Sequence, residues 1–368
     1  MSYLEKLLNG VEVEWKTLCA VCKVLRGNRL TKKELTENGK YPVFHGGLIP
    51  LGLYDKFNRK ANQTMIINTG SIGEVVWSNV DFWSSDGTFV VETSDGIYDR
   101  FLYHYLKIQE GYFKSQKREG GVPTIDRAVV ENLQIPIPPL SVQKEIVRIL
   151  DSFTELTAEL TAELTARKSQ YTYYREKLLS FDENQVEWKT LGEVVDVFTG
   201  GEAPLNCIKG DKPEGIFKYP VYGNGAEIYG YADSYRIDKD AVTISSIGAN
   251  TGTIYFRNAF FTPIIRLKVI IPKYNNLLPR YLYHYLNSIT ISSKSSSVPN
   301  MNASDVKRIK IPVPPIEEQE RIVSILDKFD TLTTSISEGL PKEIELRKKQ
   351  YEYYRDLLLT FPKNNIES

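Results

Sequence analysis

The chain has 368 residues, 42% hydrophobic, 25% charged and 11% aromatic, and its 46 basic and 46 acidic side chains leave no formal net charge. That length exceeds what one hydrophobic core usually organises, and the composition excludes a disordered chain, so at least two folded domains are expected. No apolar run reaches the ~18 residues of a membrane span, and the start, MSYLEKLLNGVEVEW, lacks the basic and apolar regions of a leader, so the expected place is the cytoplasm.

In chain order, VEWKTL at Val13–Leu18 opens a stretch of short β-branched and aromatic runs divided by Gly, Pro, Asn and Asp. Gln63–Asn68, Glu74–Trp77 and Thr88–Glu92 read as strands, and FLYHYL from Phe101 as a helix. IPIPP from Ile135 then sets an extended approach to a new, helical period. There Ile146, Leu150, Phe153, Leu160, Leu164, Tyr171 and Tyr174 fall at helical spacing over about 40 residues, which is ~60 Å if unbroken.

The same order then recurs about 176 residues later. VEWKTL returns at Val186–Leu191, YPVFHGG from Tyr41 as YPVYGNG from Tyr219, and the SIG of Ser71–Gly73 at Ser246–Gly248. Ala241–Ser245, Gly252–Arg257 and Ile264–Ile271 read as strands, and YLYHYL from Tyr281 as the matching helix. IPVPP from Ile311 precedes a second long stripe, Ile322, Leu326, Phe329, Leu332, Tyr351 and Tyr354, in which Gly339 and Pro341 should end one helix and start another. RKSQYTYYREKLLSF from Arg167 closes the first strut as RKKQYEYYRDLLLTF from Arg347 closes the second.

Two long repeats imply two similar domains with approximate twofold symmetry rather than a solenoid. The expected fold is α+β: two heads with twisted, mainly antiparallel sheets plus helices, and a pair of long antiparallel helices between them. The expected limits are 1–140 for the first head, 141–181 for the first strut, 182–316 for the second head, 317–361 for the second strut and 362–368 for a tail. Each apolar stripe needs a partner, and the equivalent helix of the other repeat is the natural one. The simpler alternative packs each helix on its own head.

IPxPP running into Q-x-x-I-V-x-I-L-D at Gln143 and again at Gln319, with the TAEL-like run Thr157–Leu164, resembles the specificity subunits of type I restriction-modification enzymes. The resemblance covers nearly the whole chain. It implies that the heads are target recognition domains, each reading half of a split site in double-stranded DNA. It implies that the long helices bind two methyltransferase subunits and, through them, motor-nuclease subunits. Adenine methylation with S-adenosylmethionine and cleavage with ATP and Mg would then belong to partner subunits, with no cofactor, metal or catalytic residue in this chain.

Base edges and phosphates are read by Arg, Lys, Asn, Gln and Ser on loops. In the first head the candidates are Arg26, Asn28, Arg29, Lys32, Lys33, Lys56, Arg59, Lys60, Lys114, Gln116, Lys117 and Arg118. In the second they are Lys209, Lys212, Asn224, Arg236, Ser293 and Lys294. An exposed lysine is more often merely solvated, and zero net charge requires any positive patch to be local. His104 and His284 occupy matching helix positions, which suggests packing, and the lone CxxC of Cys19 and Cys22 reads as ordinary buried thiols. A methyltransferase fused to its own reading domain would need a glycine-rich cofactor loop and an acid or amide before Pro-Pro-aromatic, and neither is present. The remaining rival is a helical scaffold whose end domains bind protein.

Overall fold

A computed structural model describes residues 3–118, 123–182, 184–248, 250–289, 301–335 and 337–362. It divides into two compact units, 1–160 with 344–368 and 161–343, so each unit holds one head and parts of both struts.

The first head contains α1 (Tyr3–Leu8), β1 (Glu14–Thr17), α2 (Leu18–Val21), β2 (Cys22–Arg26), β3 (Tyr41–Phe44), β4 (Gly52–Tyr54), β5 (Gln63–Ile67), β6 (Val75–Ser78), β7 (Trp83–Ser84) and β8 (Thr88–Thr93). It continues through α3 (Asp99–Ile108), α4 (Glu110–Ser115), α5 (Arg127–Glu131) and β9 (Gln134–Ile137) into α6 (Leu140–Leu179). The second unit repeats this with β10 (Glu187–Thr190), α7 (Leu191–Val194), β11 (Val195–Thr199), β12 (Cys207–Ile208), β13 (Tyr219–Tyr222), β14 (Ile228–Ala232), β15 (Ala241–Ile244), β16 (Ile254–Arg257), β17 (Thr262–Pro263) and β18 (Lys268–Pro272). Then come α8 (Pro279–Ser288), α9 (Ala303–Lys307), β19 (Lys310–Val313), α10 (Ile316–Thr334) and α11 (Gly339–Leu359).

The main sheets have the orders β2-β8-β5-β6 and β11-β18-β15-β16, both antiparallel. Alternation along the strands gives each sheet two buried faces. Ile66 and Val91 face the helix core with Leu102 and Leu106, while Met65 and Val90 pack on Phe44 and Phe82 beneath the smaller β4-β3-β7 sheet. Val242 and Ile270 with Tyr281 and Leu282, against Val269 with Phe261, repeat the pattern in the second head. VEWKTL forms β1 and β10, which pair antiparallel with the IPxPP strands β9 and β19.

Two expectations are corrected by strand register. The SIG segments are not equivalent: Gly73 N bonds Ile67 O as Gly252 N bonds Ser245 O, which matches Gly73 with Gly252 and leaves Ser246 opposite Asn68. The run Ile264–Ile271 is not one strand, because Ile265 and Arg266 take left-handed φ values of 53° and 58° and β18 starts only at Lys268.

α6 is 40 residues long, while α10 and α11 have 19 and 21, together the same helical length. The second strut's four extra residues are 335–338, between the two helices. Gly339 does not stop α10, which has already ended at Thr334; it opens α11 at φ 76°, and a Cβ there would meet Thr331 O at 2.4 Å.

Within each unit, strut packs on strut through aromatic rings. Phe153 stacks on Tyr354 at 5.3 Å, and the repeat-related Phe329 lies 5.9 Å from Tyr171 and 5.7 Å from Tyr174. Ile146 and Leu150 share a cluster with Leu358, Leu359 and Phe101, so the first unit's helices run antiparallel. Ile322 and Leu326, expected between the struts, lie in the second head's core with Tyr281 and Leu282, where Tyr171 also packs. Leu160, Leu164 and Leu332 are half-buried.

The same two devices join each head to its strut. Gln143, fully buried, accepts from Tyr98 N at 2.8 Å and donates to Gly96 O at 2.9 Å and Pro138 O at 2.8 Å. Gln319 repeats this on Leu278 N, Asn276 O and Pro314 O. His104 Nε2 lies 2.8 Å from Asp151 Oδ1, and Arg100 Nε donates to the same carboxylate at 3.0 and 3.1 Å. His284 and Arg280 meet Asp327 at 2.6 and 2.7 Å. The Q and D of the recurring Q-x-x-I-V-x-I-L-D are therefore the two ends of a head-to-strut joint.

Candidate nucleic-acid interface

Four loop segments of the first head converge on a concavity of about 480 Å³ lined by Arg26, Arg29, Thr31, Lys32, His45 and Asp86, among others. β2 ends at Arg26, and Gly27 lets the chain turn out of the sheet: a Cβ there would sit 2.1 Å from Ser85 O. The exposed Arg26, Arg29 and Lys32 make no ion pair or side-chain hydrogen bond among the described residues. Three cations ring one hollow with the Asp86 carboxylate in its wall and Glu34 within electrostatic reach of Arg29, so the positive excess is local, which the balanced overall charge concealed.

His45 closes the hollow's inner side. Its Nδ1 lies 3.2 Å from Ser85 Oγ and 3.3 Å from Asp86 Oδ1, while its Nε2 has no partner among the described residues. Ser85 Oγ accepts from Leu30 N and donates to Asp86 Oδ1, both at 3.1 Å. Serine, histidine and carboxylate here do not form a nucleophilic relay. Ser85 is 0% exposed, and one imidazole nitrogen faces both partners, whereas a relay needs opposite nitrogens on base and orienter.

Register places Thr199, Gly223, Ile265 and Arg266 of the second head where the first has Arg26, His45, Asp86 and Gly87. The left-handed pair costs roughly 1–3 kcal/mol per residue in backbone strain and is held from four sides. Ile265 N and Arg266 N donate to Gly201 O at 2.8 Å and Gly200 O at 3.0 Å. Asn224 Nδ2 donates to Ile265 O at 2.5 Å, and Ser246 Oγ to Arg266 O at 2.6 Å. Asn224 Oδ1 also accepts from Ser246 N at 2.7 Å.

The structure sorts the other sequence candidates. Arg59 is half-buried and donates to Asn58 O and Arg26 O, so it braces the loop. Asn224 is likewise engaged inside the head. Lys114 pairs with Glu74, Arg118 with Asp126, and Lys60 lies 3.5 Å from Asp81 and over the Phe57 ring. Arg236 donates to Glu202 O at 3.2 Å, and Lys209 lies over Tyr229. Asn28 is exposed, but its backbone O accepts from Trp83 Nε1. Lys33, Lys56, Gln116, Lys117 and Lys212 are exposed, and none of them lines the first head's concavity. Ser293 and Lys294 lie outside the described residues. Sequence reading missed His45 and Asp86 as wall residues, and Ile265 and Arg266 altogether.

Other titratable groups are structural. Burial holds the His104 and His284 imidazoles below the usual histidine range, against the opposing pull of Asp151 and Asp327. Burial would raise the Asp151 carboxyl, but hydrogen bonds from His104 and Arg100 outweigh it and hold the group low. His284, Asp327 and Asp330 gather ligand-type atoms within 4.8 Å, yet Arg280 donates to both carboxylates and already supplies the positive charge. Cys22 is buried, its thiol pushed up to about 12 by that burial, whereas Cys19 is exposed, contrary to expectation. No helix among the described residues is long and apolar enough to cross a membrane.

Comparison with known proteins follows the same repeat. A family model described as the type I restriction modification DNA specificity domain matches residues 10–167 and again 184–346. The specificity subunit of the type I restriction enzyme EcoR124I/EcoR124II from Escherichia coli is 38% identical, over 99% of this chain and 98% of that one. A putative type I restriction enzyme specificity subunit from Haemophilus influenzae is 35% identical over 98% of each. The fold is similar to the crystal structure of a type I restriction-modification system S subunit from M. genitalium, with TM-score 0.72 and 23% identity over 97% of this chain and 98% of that one.

Proposed function

The chain belongs to the family of type I restriction-modification specificity subunits, which recognise DNA targets within a larger complex, and from that premise we propose that it reads a bipartite double-stranded site, one head to each half. The struts dock two methyltransferase subunits and, through them, motor-nuclease subunits. S-adenosylmethionine, ATP and Mg act in those partners, adenine is the methylated base, and this chain contributes recognition without catalysis in the cytoplasm.

One observation carries the reading. Two heads with the same strand order in the main sheet and the same head-to-strut joint differ where their loops reach solvent: Arg26, His45 and Asp86 in one, Thr199, Gly223 and Ile265 in the other. Shared scaffolds with unlike exposed residues are what two different half-sites require, and half-site spacing follows protein geometry. Arg26, Arg29 and Lys32 supply the phosphate grip beside the first reader.

Single-molecule sequencing of DNA methylated by the assembled complex tests this. The expected product is methyladenine in a motif of two unlike short sequences around an unread gap. A contiguous motif, or no methylation together with no retardation of any duplex, favours the scaffold.

A further inference from the structure

We infer that Arg266, displayed beside Ile265 on the left-handed turn before β18, is the guanine-reading side chain of the second head. The inference rests on the DNA reading above and names the residue that sets one base of one half-site.

Both residues are exposed, Ile265 at 48%, while Thr262–Ile264 before them and Leu267–Val269 after them are buried. In an extended strand adjacent side chains point to opposite faces, so one of any two neighbours would enter the core. The left-handed turn sends both outward. A mere turn would be made most easily with Gly or Asn, yet the chain carries a β-branched Ile at φ 53° and an Arg at φ 58°. A turn alone therefore does not account for these two side chains.

The support beneath is rigid. Gly200 O and Gly201 O accept from the two amides and Asn224 and Ser246 donate to the two carbonyls, which fixes the backbone of the pair. Gly200 is required for that approach, since a Cβ there would lie 2.8 Å from Ile264 N and O. The Arg266 guanidinium makes no ion pair or side-chain hydrogen bond among the described residues. A guanidinium on a fixed turn presents two parallel donors, which fit the O6 and N7 acceptors of guanine in the major groove. The apolar Ile265 beside it suits a neighbouring thymine methyl. The first head has Asp86 and Gly87 at these positions, so it reads by other means.

The test uses the full complex with Arg266→Lys and Arg266→Ala. Lysine keeps the charge for a phosphate but loses the bidentate fork. The expected result is a methylation map in which one half-site loses preference at a single G·C pair by roughly 10-fold or more, with the other half-site unchanged. An unchanged map with Arg266→Lys, or a natural target without a G·C pair in either half-site, overturns the inference. If a variant methylates nothing, competition among duplexes bearing each of the four base pairs decides. Selective loss for G·C supports the inference, and equal weakening for all four overturns it. Failure of the unsubstituted complex to mark any bipartite site would instead sink the DNA reading, before any variant is compared.

Discussion

His104 of the first head's helix α3 hydrogen-bonds through Nε2 to Asp151 of α6 at 2.8 Å, and its Nδ1 faces Tyr351 Oη of α11 at 3.5 Å. One buried imidazole therefore ties a head to both struts, and the geometry assigns a neutral ring that donates from Nε2 and accepts at Nδ1. Replacing His104 with Ala removes both bonds, opens a cavity and leaves Asp151 with Arg100 alone. The expected cost is about 2–4 kcal/mol in urea unfolding of the chain. A loss under half a kcal/mol would show that the joint does not stabilise the unit.

The same burial gives the fold an acid limit. His104 and His284 have folded pKa values below that of a free histidine, so the unfolded chain binds protons first as pH falls. Their contribution is fully present above about pH 6.5 and erodes below it. Asp151, also held low, adds a loss only in stronger acid, because it matters once free carboxylates protonate near pH 4. Thermal unfolding followed from pH 8 to pH 5 should show a falling melting temperature below ~6.5. His104→Gln with His284→Gln, which keeps a donor toward each carboxylate, should flatten that slope; an equal slope in the double variant contradicts the assignment.

Gln143 makes a discriminating prediction because its amide works in both directions. Gln143→Ala leaves Tyr98 N, Gly96 O and Pro138 O without their partner and should cost about 2–3 kcal/mol. Gln143→Glu preserves the acceptor for Tyr98 N but turns a carboxylate toward two carbonyls, so it should be worse than Ala at neutral pH. Equal stabilities for the two variants, measured by denaturant midpoint, would mean that the donated bonds contribute nothing.

Much of this architecture was legible in the sequence because it rests on repeated local signals. The proline-led strands, the 40-residue helix and the aromatic stripe of Phe153, Tyr171 and Tyr174 follow from periodicity. The reason for the Q-x-x-I-V-x-I-L-D pattern was not legible, since Gln143 and Asp151 act on backbone and side chains more than 40 residues away. The SIG match misled because identical letters fell in a loop where the two heads differ in length, and only strand register reveals the true partners. Ile265 and Arg266 were invisible for a further reason: a left-handed pair without Gly or Asn carries no turn signal, so Ile264–Ile271 read as a strand. The Arg26, Arg29 and Lys32 hollow was half seen, as basic residues but not as one surface with His45.

The helix α6 lets spacing be separated from reading. Along α6, Thr161–Leu164 lies between the residues of the two aromatic contacts, Phe153 with Tyr354 and Tyr171 and Tyr174 with Phe329. Removing these four residues shortens a continuous helix by ~6 Å and turns its far end by ~40°, because four residues exceed one turn by less than half a residue. Six ångströms is near two base-pair steps at ~3.4 Å each. The methylated motif of the deletion variant should therefore have a shorter gap, by about two base pairs, between unaltered half-sites, as read by single-molecule sequencing. A changed half-site with an unchanged gap would mean that the strut shapes the readers rather than holding them apart.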